Sequence, residues 1–328
     1  MPRRLANLFL LVAVIALVAT GLLAWVLPET QARPLYDAHR IAGLALVLSL
    51  AWKYAIVRGS LPRRVARRDR TLAVATFGSG ALLFVLVSGI AWSAGIVSFD
   101  QPFAYSPLNL HVFAGVLLAP LVVVHALQRW ERRPPVARLV GRRAVLRLAM
   151  LGTSAAVAGV ALDRIAPARR VTGSRHAGSF TANAFPLTIW NFDTVPSIDE
   201  ADWRVAVTGA VGRPVRYRYA ELTRLAPREV DAVIDCTGGW WSEQRWTGVA
   251  LAELVRASAP DGRATRVSVT SVTGHAWTFG LDEIADAVLA THVGGERLSA
   301  GHGFPARLVV PGRRGFQWIK WVERLELS

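Results

Sequence analysis

Five apolar runs in the first half of the chain constrain its fold more than any other feature. Each is close to the roughly 20 residues that a helix needs to cross a bilayer. The runs cover residues 6–27, 39–57, 71–97, 110–127 and 144–165. They predict an all-α transmembrane bundle of five helices, with four helices within residues 1–143 and the fifth, followed by a linker, within residues 144–184.

The positive charge of the chain lies mainly in loops between these runs. A net charge of +15 could indicate a nucleic-acid partner. However, arginines crowd into residues 58–70 and 128–143, whereas residues 28–38 and 98–109 carry almost none. Basic loops stay in the cytoplasm. The pattern therefore predicts a multi-pass protein of the cell membrane, in contact with lipid and without a nucleic-acid partner. Its N-terminus is cytoplasmic and its C-terminal domain is extracytoplasmic.

Two histidines in the apolar runs share a local sequence. After two intervening residues, His39 and His111 are each followed by Ala-Gly, which places Gly43 and Gly115 one turn later. Imidazole binds haem iron, and glycine lets a porphyrin lie close to a helix. The pattern resembles membrane b-type cytochrome bundles and predicts one haem b, with His39 and His111 as its iron ligands. The alternative is a pair of interfacial histidines bonded to headgroups or to the backbone.

A second ligand pair would lie deeper in such a bundle. Fourteen residues after each histidine come Lys53 and His125, which is nearly four helical turns on almost the same face. Because this pair is not two imidazoles, the sequence predicts one haem and no second one.

The fifth run opens with Gly141-Arg142-Arg143. Paired arginines before a weakly apolar helix resemble a twin-arginine export signal, which moves folded proteins across a membrane. The same pair also satisfies the rule that basic loops stay inside. Both interpretations remain open. Residues 166–184, rich in Gly, Ser and Arg, are predicted to be the linker.

The C-terminal part, residues 185–328, has short β-prone runs broken by Gly and Pro. Strands are predicted at 203–207, 230–235, 266–272, 307–310 and 316–327, and helices at 247–258 and 281–289. The fold class is therefore mixed α+β. No glycine-rich dinucleotide fingerprint or phosphate loop occurs, so nucleotide chemistry has no support.

The chain has one cysteine, Cys236, which excludes an internal disulfide and any site built from several cysteines. It ends a predicted strand and is followed by Thr-Gly-Gly-Trp-Trp. A thiolate at a strand end, with glycines that let a large group approach, suits a soft metal. A lone cysteine is more often a small buried hydrophobic residue. From the residues alone both roles stay open.

Three segments around Cys236 resemble the molybdopterin domain of the sulfite-oxidase family. They are residues 236–251, 303–312 and 315–322, and the similarity extends over about 190–327. The resemblance implies that Cys236 binds molybdenum beside the dithiolene of one pyranopterin and is catalytic. It implies that the cofactor-binding residues are Trp246, Gly248, Val249, Arg307, Lys320 and Asn191. Arg245, with Arg313 and Arg314, would serve the pterin phosphate or an anionic substrate, or would be a solvated surface residue.

One departure concerns the substrate. Where sulfite oxidases have an arginine-rich stretch after the cysteine, this chain has Gly238-Gly239-Trp240-Trp241. Sulfite is therefore doubtful as the substrate, and an aromatic-walled pocket for another small oxo donor or acceptor is expected. The resemblance implies two-electron oxo transfer by a molybdenum-molybdopterin cofactor, and the loop charges predict that it takes place on the extracytoplasmic face. Electrons would be exchanged with the membrane haem and a quinone or other carrier, preferably in the direction of sulfoxide reduction.

Two alternatives remain at this stage. The first is a membrane cytochrome with a cofactor-free relic domain that binds a partner. The second is a haem-free, membrane-anchored molybdoenzyme of the sulfite-oxidase type. Metal content separates them: the first would contain iron without molybdenum, and the second molybdenum without iron.

Overall fold

The computed structural model describes residues 3–99, 106–128, 141–166, 168–189 and 193–328. The chain divides into two compact units, Met1–Arg175 and His176–Ser328. The division falls inside the segment that the sequence predicts as a linker. The N-terminal unit contains α1 (Arg3–Val26), α2 (Glu29–Arg58), α3 (Leu61–Ala66), α4 (Thr71–Ala94), α5 (Pro107–Gln128) and α6 (Arg142–Ile165).

Five of these helices, all except the short α3, are long and apolar enough to cross a membrane. This confirms the five predicted helices. Large apolar side chains such as Phe77 and Leu117 are mostly exposed on their outer faces, as lipid-facing positions require. The second apolar run was predicted to begin at His39. That boundary is wrong, because α2 begins at Glu29 and His39 lies inside the helix. Residues 29–38 are mostly polar, so an apolar run does not reveal the first turns of this helix.

The bundle is built from two helical hairpins, α1–α2 and α4–α5, with further contacts between α1 and α5 and between α2 and α6. Ala13, Val14, Leu46 and Leu86 form one buried cluster among them. Ala45 and Ala155 lie in a second cluster, where small side chains let α6 approach α2 closely.

The C-terminal unit contains two sheets. The boundary between the units falls within β1 (Arg175–His176). The following elements are β2 (Arg204–Gly209), β3 (Val215–Arg218), α7 (Tyr219–Leu222), β4 (Arg228–Asp235), β5 (Trp240–Ala250), α8 (Leu251–Ala257), β6 (Arg266–Ser271), β7 (Ala276–Gly280), β8 (Val288–Val293), β9 (Glu296–Arg297), β10 (Arg307–Val309) and β11 (Val322–Leu327). The mixed α+β fold class is confirmed.

The first sheet has the antiparallel order β4-β5-β8-β10, with β9 also paired to β8. The second has the order β3-β2-β11-β6-β7, in which β11 runs parallel to β2. In β2, Val205 and Val207 are buried while Arg204, Ala206 and Thr208 are partly exposed, and this alternation orients the strand on the core.

Three sequence-based assignments in this unit are wrong. Residues 281–289 are not a helix: a 3₁₀ turn spans Asp282–Ile284, and β8 begins at Val288. Almost all of β8 is buried, so its sequence lacks the alternation that identifies a strand. The helix predicted at 247–258 begins only at Leu251, because β5 continues to Ala250 while pairing with β4 and β8. The strand predicted at 316–327 begins only at Val322.

Candidate active site and paired-histidine cavity

Cys236 lies in the tight turn between β4 and β5. The Cys236 N–H donates to the Trp240 carbonyl at 2.9 Å, and the Gly239 N–H donates to the Cys236 carbonyl at 3.0 Å. Gly239 has φ +90°, which glycine adopts at least cost. The Gly238 N–H donates to Cys236 Sγ at 3.3 Å. A Cβ on Gly238 would lie 3.4 Å from that sulfur. The two glycines therefore bring the backbone close to the sulfur.

The thiol of Cys236 is buried, and burial raises its pKa. The Gly238 N–H, the Thr188 hydroxyl and the charge of Arg314 act in the opposite direction. The Thr188 hydroxyl also accepts a bond from Trp240 Nε1 at 2.9 Å, which fixes its position beside the sulfur. A buried sulfur of this kind ionises when a positive partner compensates its charge, and a bound metal ion is such a partner.

Two cationic side chains lie in the field of this sulfur: Arg307 is buried and Lys320 is partly buried. Arg307 lies over the Trp246 ring, 5.4 Å from its centroid, and donates to the His302 carbonyl at 3.1 Å. Burial lowers the pKa of Arg307 to about 10. Burial and the nearby Arg307 lower the pKa of Lys320 to about 7. Lys320 Nζ donates to the Thr188 and Gly301 carbonyls, at 2.9 and 2.7 Å.

A buried ion pair fixes the loop that faces Cys236. Arg314 Nη1 lies 2.7 Å from Asp235 Oδ1, and the two side chains are 3% and 7% exposed. Asp235 and Arg314 also form a parallel β-bridge. A Cβ on Gly315 would lie 3.2 Å from the Asp235 carbonyl oxygen. The loop after β10 is therefore held against the end of β4.

In the N-terminal unit, the two helical hairpins hold His39 and His111 in matching ways. His39 Nδ1 lies 2.9 Å from the Leu17 carbonyl, and His111 Nδ1 lies 2.9 Å from the Val85 carbonyl. A carbonyl only accepts, so each Nδ1 carries the proton. This leaves Nε2 of each ring as the nitrogen that can bind a metal.

The two imidazole rings face one another across the bundle, with centroids 6.1 Å apart and planes inclined by 80°. Two imidazoles that bind one ion from opposite sides, with metal–nitrogen bonds of about 2.0 Å, have centroids roughly 6 Å apart. Gly21 and Gly89 make room for the rings. A Cβ at either position would lie 2.9 Å from Cε1 of His39 or His111, respectively.

A largely apolar cavity surrounds the two imidazoles. His39, His111, Gly43 and Gly115 are among its lining residues. Apart from its chain neighbours and the backbone of its own helix, no atom would lie within 4 Å of a Cβ added to Gly115. Fourteen residues after His39 along α2, Lys53 Nζ donates to Asn7 Oδ1 at 2.9 Å. The structure thus brings the two predicted ligands together at one depth.

Comparison with known proteins assigns the C-terminal unit. Residues 192–328 match the family described as the oxidoreductase molybdopterin binding domain. Residues 192–328 therefore form a molybdopterin-binding domain of the sulfite-oxidase type.

Individual relatives match different shares of the chain. An NADH nitrate reductase from Brassica napus is 28% identical over 174 residues, covering 41% of this chain and 19% of the relative. The catalytic subunit MsrP of a protein-methionine-sulfoxide reductase from Gluconobacter oxydans is 28% identical over 240 residues, covering 62% and 75%. The sulfane dehydrogenase SoxCD from Paracoccus pantotrophus aligns with 25% identity and a TM-score of 0.39, covering 41% and 40%. The chain thus spans about a fifth of the nitrate reductases that it matches.

The residues around Cys236 fit the cofactor of the molybdopterin-binding oxidoreductases. The Cys236 sulfur is a soft ligand in a water-poor position. Within the described residues, Nε of the buried Arg307 has no hydrogen-bond partner. A buried guanidinium nitrogen without a partner is costly, and an anionic group beside it would remove that cost. Lys320 supplies a second donor to the same region.

The other predicted site residues lie at different depths. Trp246 is fully buried and donates to the Ala232 carbonyl at 3.2 Å, and Val249 is 2% exposed. Gly248 lies where a Cβ would come within 2.1 Å of the Leu289 carbonyl oxygen. Arg245 lies on the opposite face of β5 from Trp246 and pairs with Asp231. Asn191 and most arginines of the 128–143 loop lie outside the described residues. The cofactor contacts of all these side chains remain predictions.

Two residues at the site were not found from the sequence. Thr188 bonds the sulfur with its hydroxyl and Lys320 with its carbonyl. His302 positions Arg307 through its carbonyl, donates from Nε2 to the Phe185 carbonyl at 3.0 Å, and accepts from Ser299 at Nδ1. Burial lowers the pKa of His302 to about 4. A histidine between two glycines, directly before the 303–312 motif, was the available signal. Thr188 has no comparable local signature.

Across the described ranges, no group of three or more His, Cys, Asp or Glu side chains could hold a metal ion. Neither the Cys236 site nor the paired-histidine cavity requires such a group. The first would use a single thiolate beside a chelating cofactor, and the second would use two imidazoles on a macrocycle.

Proposed function

We propose that this chain is a membrane-anchored molybdenum enzyme that catalyses two-electron oxo transfer on a small molecule. One observation carries the proposal. Cys236 holds its sulfur at the end of β4, with the buried Arg307 and the partly buried Lys320 in its field, inside a molybdopterin-binding oxidoreductase domain.

The chain's own residues would bind and orient the cofactor. Cys236 would be the protein ligand to molybdenum, which supplies two-electron redox chemistry with oxygen transfer when bound. Arg307 and Lys320 would hold the anionic part of the pterin. Thr188 and Gly238 would donate to the sulfur and fix its direction, as outer-shell bonds do for metal ligands.

The preferred substrate class is sulfoxides, acted on in the reductive direction. MsrP, which is named for protein methionine sulfoxide, matches over three quarters of its own length, whereas the nitrate reductases match over about a fifth of theirs. Trp241 is only partly buried and contacts the His176 ring, with ring centroids 4.6 Å apart and planes inclined by 49°. Such an aromatic surface suits a neutral thioether-like group better than a small oxyanion.

For the N-terminal unit we propose one haem b, whose iron Nε2 of His39 and Nε2 of His111 would hold. The haem would supply a one-electron relay for electrons exchanged with a quinone or another carrier. The matched Nδ1 bonds, the 6.1 Å centroid separation and the glycine-lined cavity support this site.

The proposed placement is in the cell membrane, surrounded by lipid, with the N-terminus cytoplasmic and the molybdopterin domain extracytoplasmic. The distribution of arginine over the loops supports this orientation. The twin-arginine pair at Arg142 and Arg143 would serve export of the folded domain.

The test is metal analysis and turnover of detergent-purified protein from a host that makes molybdopterin. We expect about one molybdenum and one iron per chain, and sulfoxide-dependent oxidation of a reduced viologen dye. Cys236→Ser should abolish turnover and leave the haem spectrum intact. Retained turnover in Cys236→Ser would overturn the ligand assignment. Iron without molybdenum, after cofactor loading is verified, would favour the relic-domain alternative. Molybdenum without iron would exclude the haem.

A further inference from the structure

One end of the histidine cavity is polar. Most of its lining is aliphatic, but Tyr36, Arg40, Trp92 and Thr172 also line it. These four lie together, because Arg40 lies over the Tyr36 ring, and Gly173, next to Thr172, contacts Tyr36 and accepts a bond from Trp92 Nε1 at 3.2 Å. All four belong to the same compact unit as His39 and His111. A polar end in an apolar cavity indicates a ligand that is itself amphiphilic.

Three guanidinium groups meet around this end. Arg40 donates to both carboxylate oxygens of Asp163, at 3.1 and 2.5 Å. Arg169 Nη2 donates to the same carboxylate at 3.0 Å. The Arg175 guanidinium lies 4.4 Å from the Trp92 ring centroid and donates to the Trp92 and Val97 carbonyls.

The charges of this group do not balance. Among the residues that the structure describes, Asp163 pairs with both Arg40 and Arg169, and Arg175 has no acidic partner. Two positive charges of the group are therefore uncompensated there. The neighbouring Arg170 is neutralised by an ion pair with Glu29. Asp37 is exposed, so water screens its charge.

Two of the guanidiniums also have buried nitrogens with no hydrogen-bond partner in the part of the chain that the structure describes. They are Nη1 of Arg169 and Nε of Arg175. The Arg169 side chain is only 6% exposed. A buried cation with an unbonded N–H is destabilising unless an anion occupies the space beside it. The surplus charge and the unbonded nitrogens are independent observations that both indicate an anionic ligand.

We propose that Arg169, Arg175 and Arg40 bind the two carboxylates of the haem whose iron His39 and His111 hold. This inference rests on the proposed haem and adds the residues that orient it. Two carboxylates match the two surplus charges, and an apolar macrocycle matches the aliphatic remainder of the cavity. The planar fork of a guanidinium suits a carboxylate better than a lysine ammonium would.

The test compares two ligands that differ only in these carboxylates. Haem-depleted full-length protein in detergent is titrated with haem and with haem dimethyl ester, and the Soret band reports binding. The wild type should bind haem about tenfold more tightly than the ester. Arg169→Gln and Arg175→Gln should each remove most of that preference. The control is Arg33→Gln, which removes an exposed arginine of the same helix as Arg40 and should leave the preference unchanged.

Asp163→Asn gives a change of opposite sign, which misfolding cannot produce. It removes the competing carboxylate and should increase the preference for haem over its ester. Equal affinity of the wild type for both ligands, with normal low-spin spectra, would overturn the carboxylate site and leave the haem site standing. Loss of bound phospholipid in Arg169→Gln, without a change in haem preference, would assign the arginines to a lipid phosphate instead. If neither ligand binds, both the haem and this inference fail.

Discussion

At the scale of single residues, burial disfavours the charged forms of both the Cys236 thiol and the nearby Lys320 amine. Burial raises the pKa of the thiol and lowers that of Lys320 to about 7. In the cofactor-free protein a neutral thiol and a partly neutral amine therefore face one another. An anionic cofactor with a cationic metal would favour thiolate and ammonium together, so its binding is coupled to proton exchange.

Lys320 should make the stability of the cofactor-free protein depend on pH. Its pKa is about 7 in the folded protein and has an ordinary value of 10.5. Between these values the unfolded state binds more protons than the folded state, so stability rises with pH. The stability that the neutral Lys320 amine provides is fully present above pH 10.5 and is lost as the pH falls through 7. Lys320→Met should flatten this rise.

The single cysteine supplies the measurement. Labelling of Cys236 in increasing urea, with the thiol reaction carried out at one fixed pH, reports unfolding of the C-terminal unit alone. The urea midpoint of the wild type should increase from pH 7 to pH 9.5, and that of Lys320→Met should increase less. Parallel curves for the two proteins would contradict the assignment.

The ion pair of Arg314 with Asp235 should contribute far more to stability than the ion pair of Arg313 with Glu283. Removing one partner of a buried pair leaves an uncompensated charge, so Arg314→Gln should cost about 3–5 kcal/mol. Arg313 pairs with the partly exposed Glu283, and Arg313→Gln should cost less than about 1 kcal/mol. Urea titration of Cys236 labelling measures both. Similar midpoints for these two variants would show that the Asp235 pair is not a structural anchor.

At the scale of elements, α1–α2 and α4–α5 are two copies of one arrangement. In each hairpin the first helix offers a carbonyl, a hydroxyl three residues later and then a glycine to the histidine of the second helix. Thr20 and Ser88 both lie 3.3 Å from the imidazole Nδ1 that they face. The two imidazoles are thus held by the same set of contacts.

The glycines of this arrangement should be as necessary as the histidines. Gly21→Ala or Gly89→Ala places a methyl group 2.9 Å from an imidazole carbon and must displace the ring. Each variant should lose most of its bound haem or become high-spin. Gly80→Ala is the control, because nothing lies within 4 Å of a Cβ there. Soret and near-infrared spectra check the result, and a normal low-spin spectrum of Gly89→Ala would contradict the proposed geometry.

Sequence reasoning succeeded where the signal was local and failed where it depended on partners. Five spans and the His39–His111 pair were found because apolar length and a repeated motif lie within single segments. The first two residues of β8 were assigned to a helix and the others to no element, since burial on both faces removes the alternation of a strand. Thr188 was missed because it reaches Cys236 across 48 positions and has no motif of its own. The matching glycines, Gly21 and Gly89, were available as a repeat but were not recognised.

At the scale of the whole molecule, the chain joins two units for which we propose different cofactors. The boundary falls after Arg175. His39 and His111 lie on one side of it, and Cys236 lies on the other. Loss of one cofactor should therefore leave the other in place, because neither ligand set takes a residue from the other unit.

This separation predicts which electron donors a haem-free variant can use. His111→Ala removes one iron ligand and should lose the low-spin Soret band, while its molybdenum content stays at the wild-type level. A small soluble donor such as reduced viologen should still support sulfoxide turnover, because it can reach the C-terminal unit directly. Turnover driven by a quinol in the membrane should fall to background, since that path needs the haem as a relay.

One activity ratio, compared between two variants, therefore decides how the units cooperate. The ratio of quinol-driven to viologen-driven turnover should collapse in His111→Ala and remain unchanged in His125→Ala, which alters a histidine that the proposed haem does not use. Retention of quinol-driven turnover in His111→Ala would mean that electrons reach molybdenum without the haem. Loss of viologen-driven turnover, with molybdenum still bound, would mean that the helical unit shapes the active site rather than supplying its electrons.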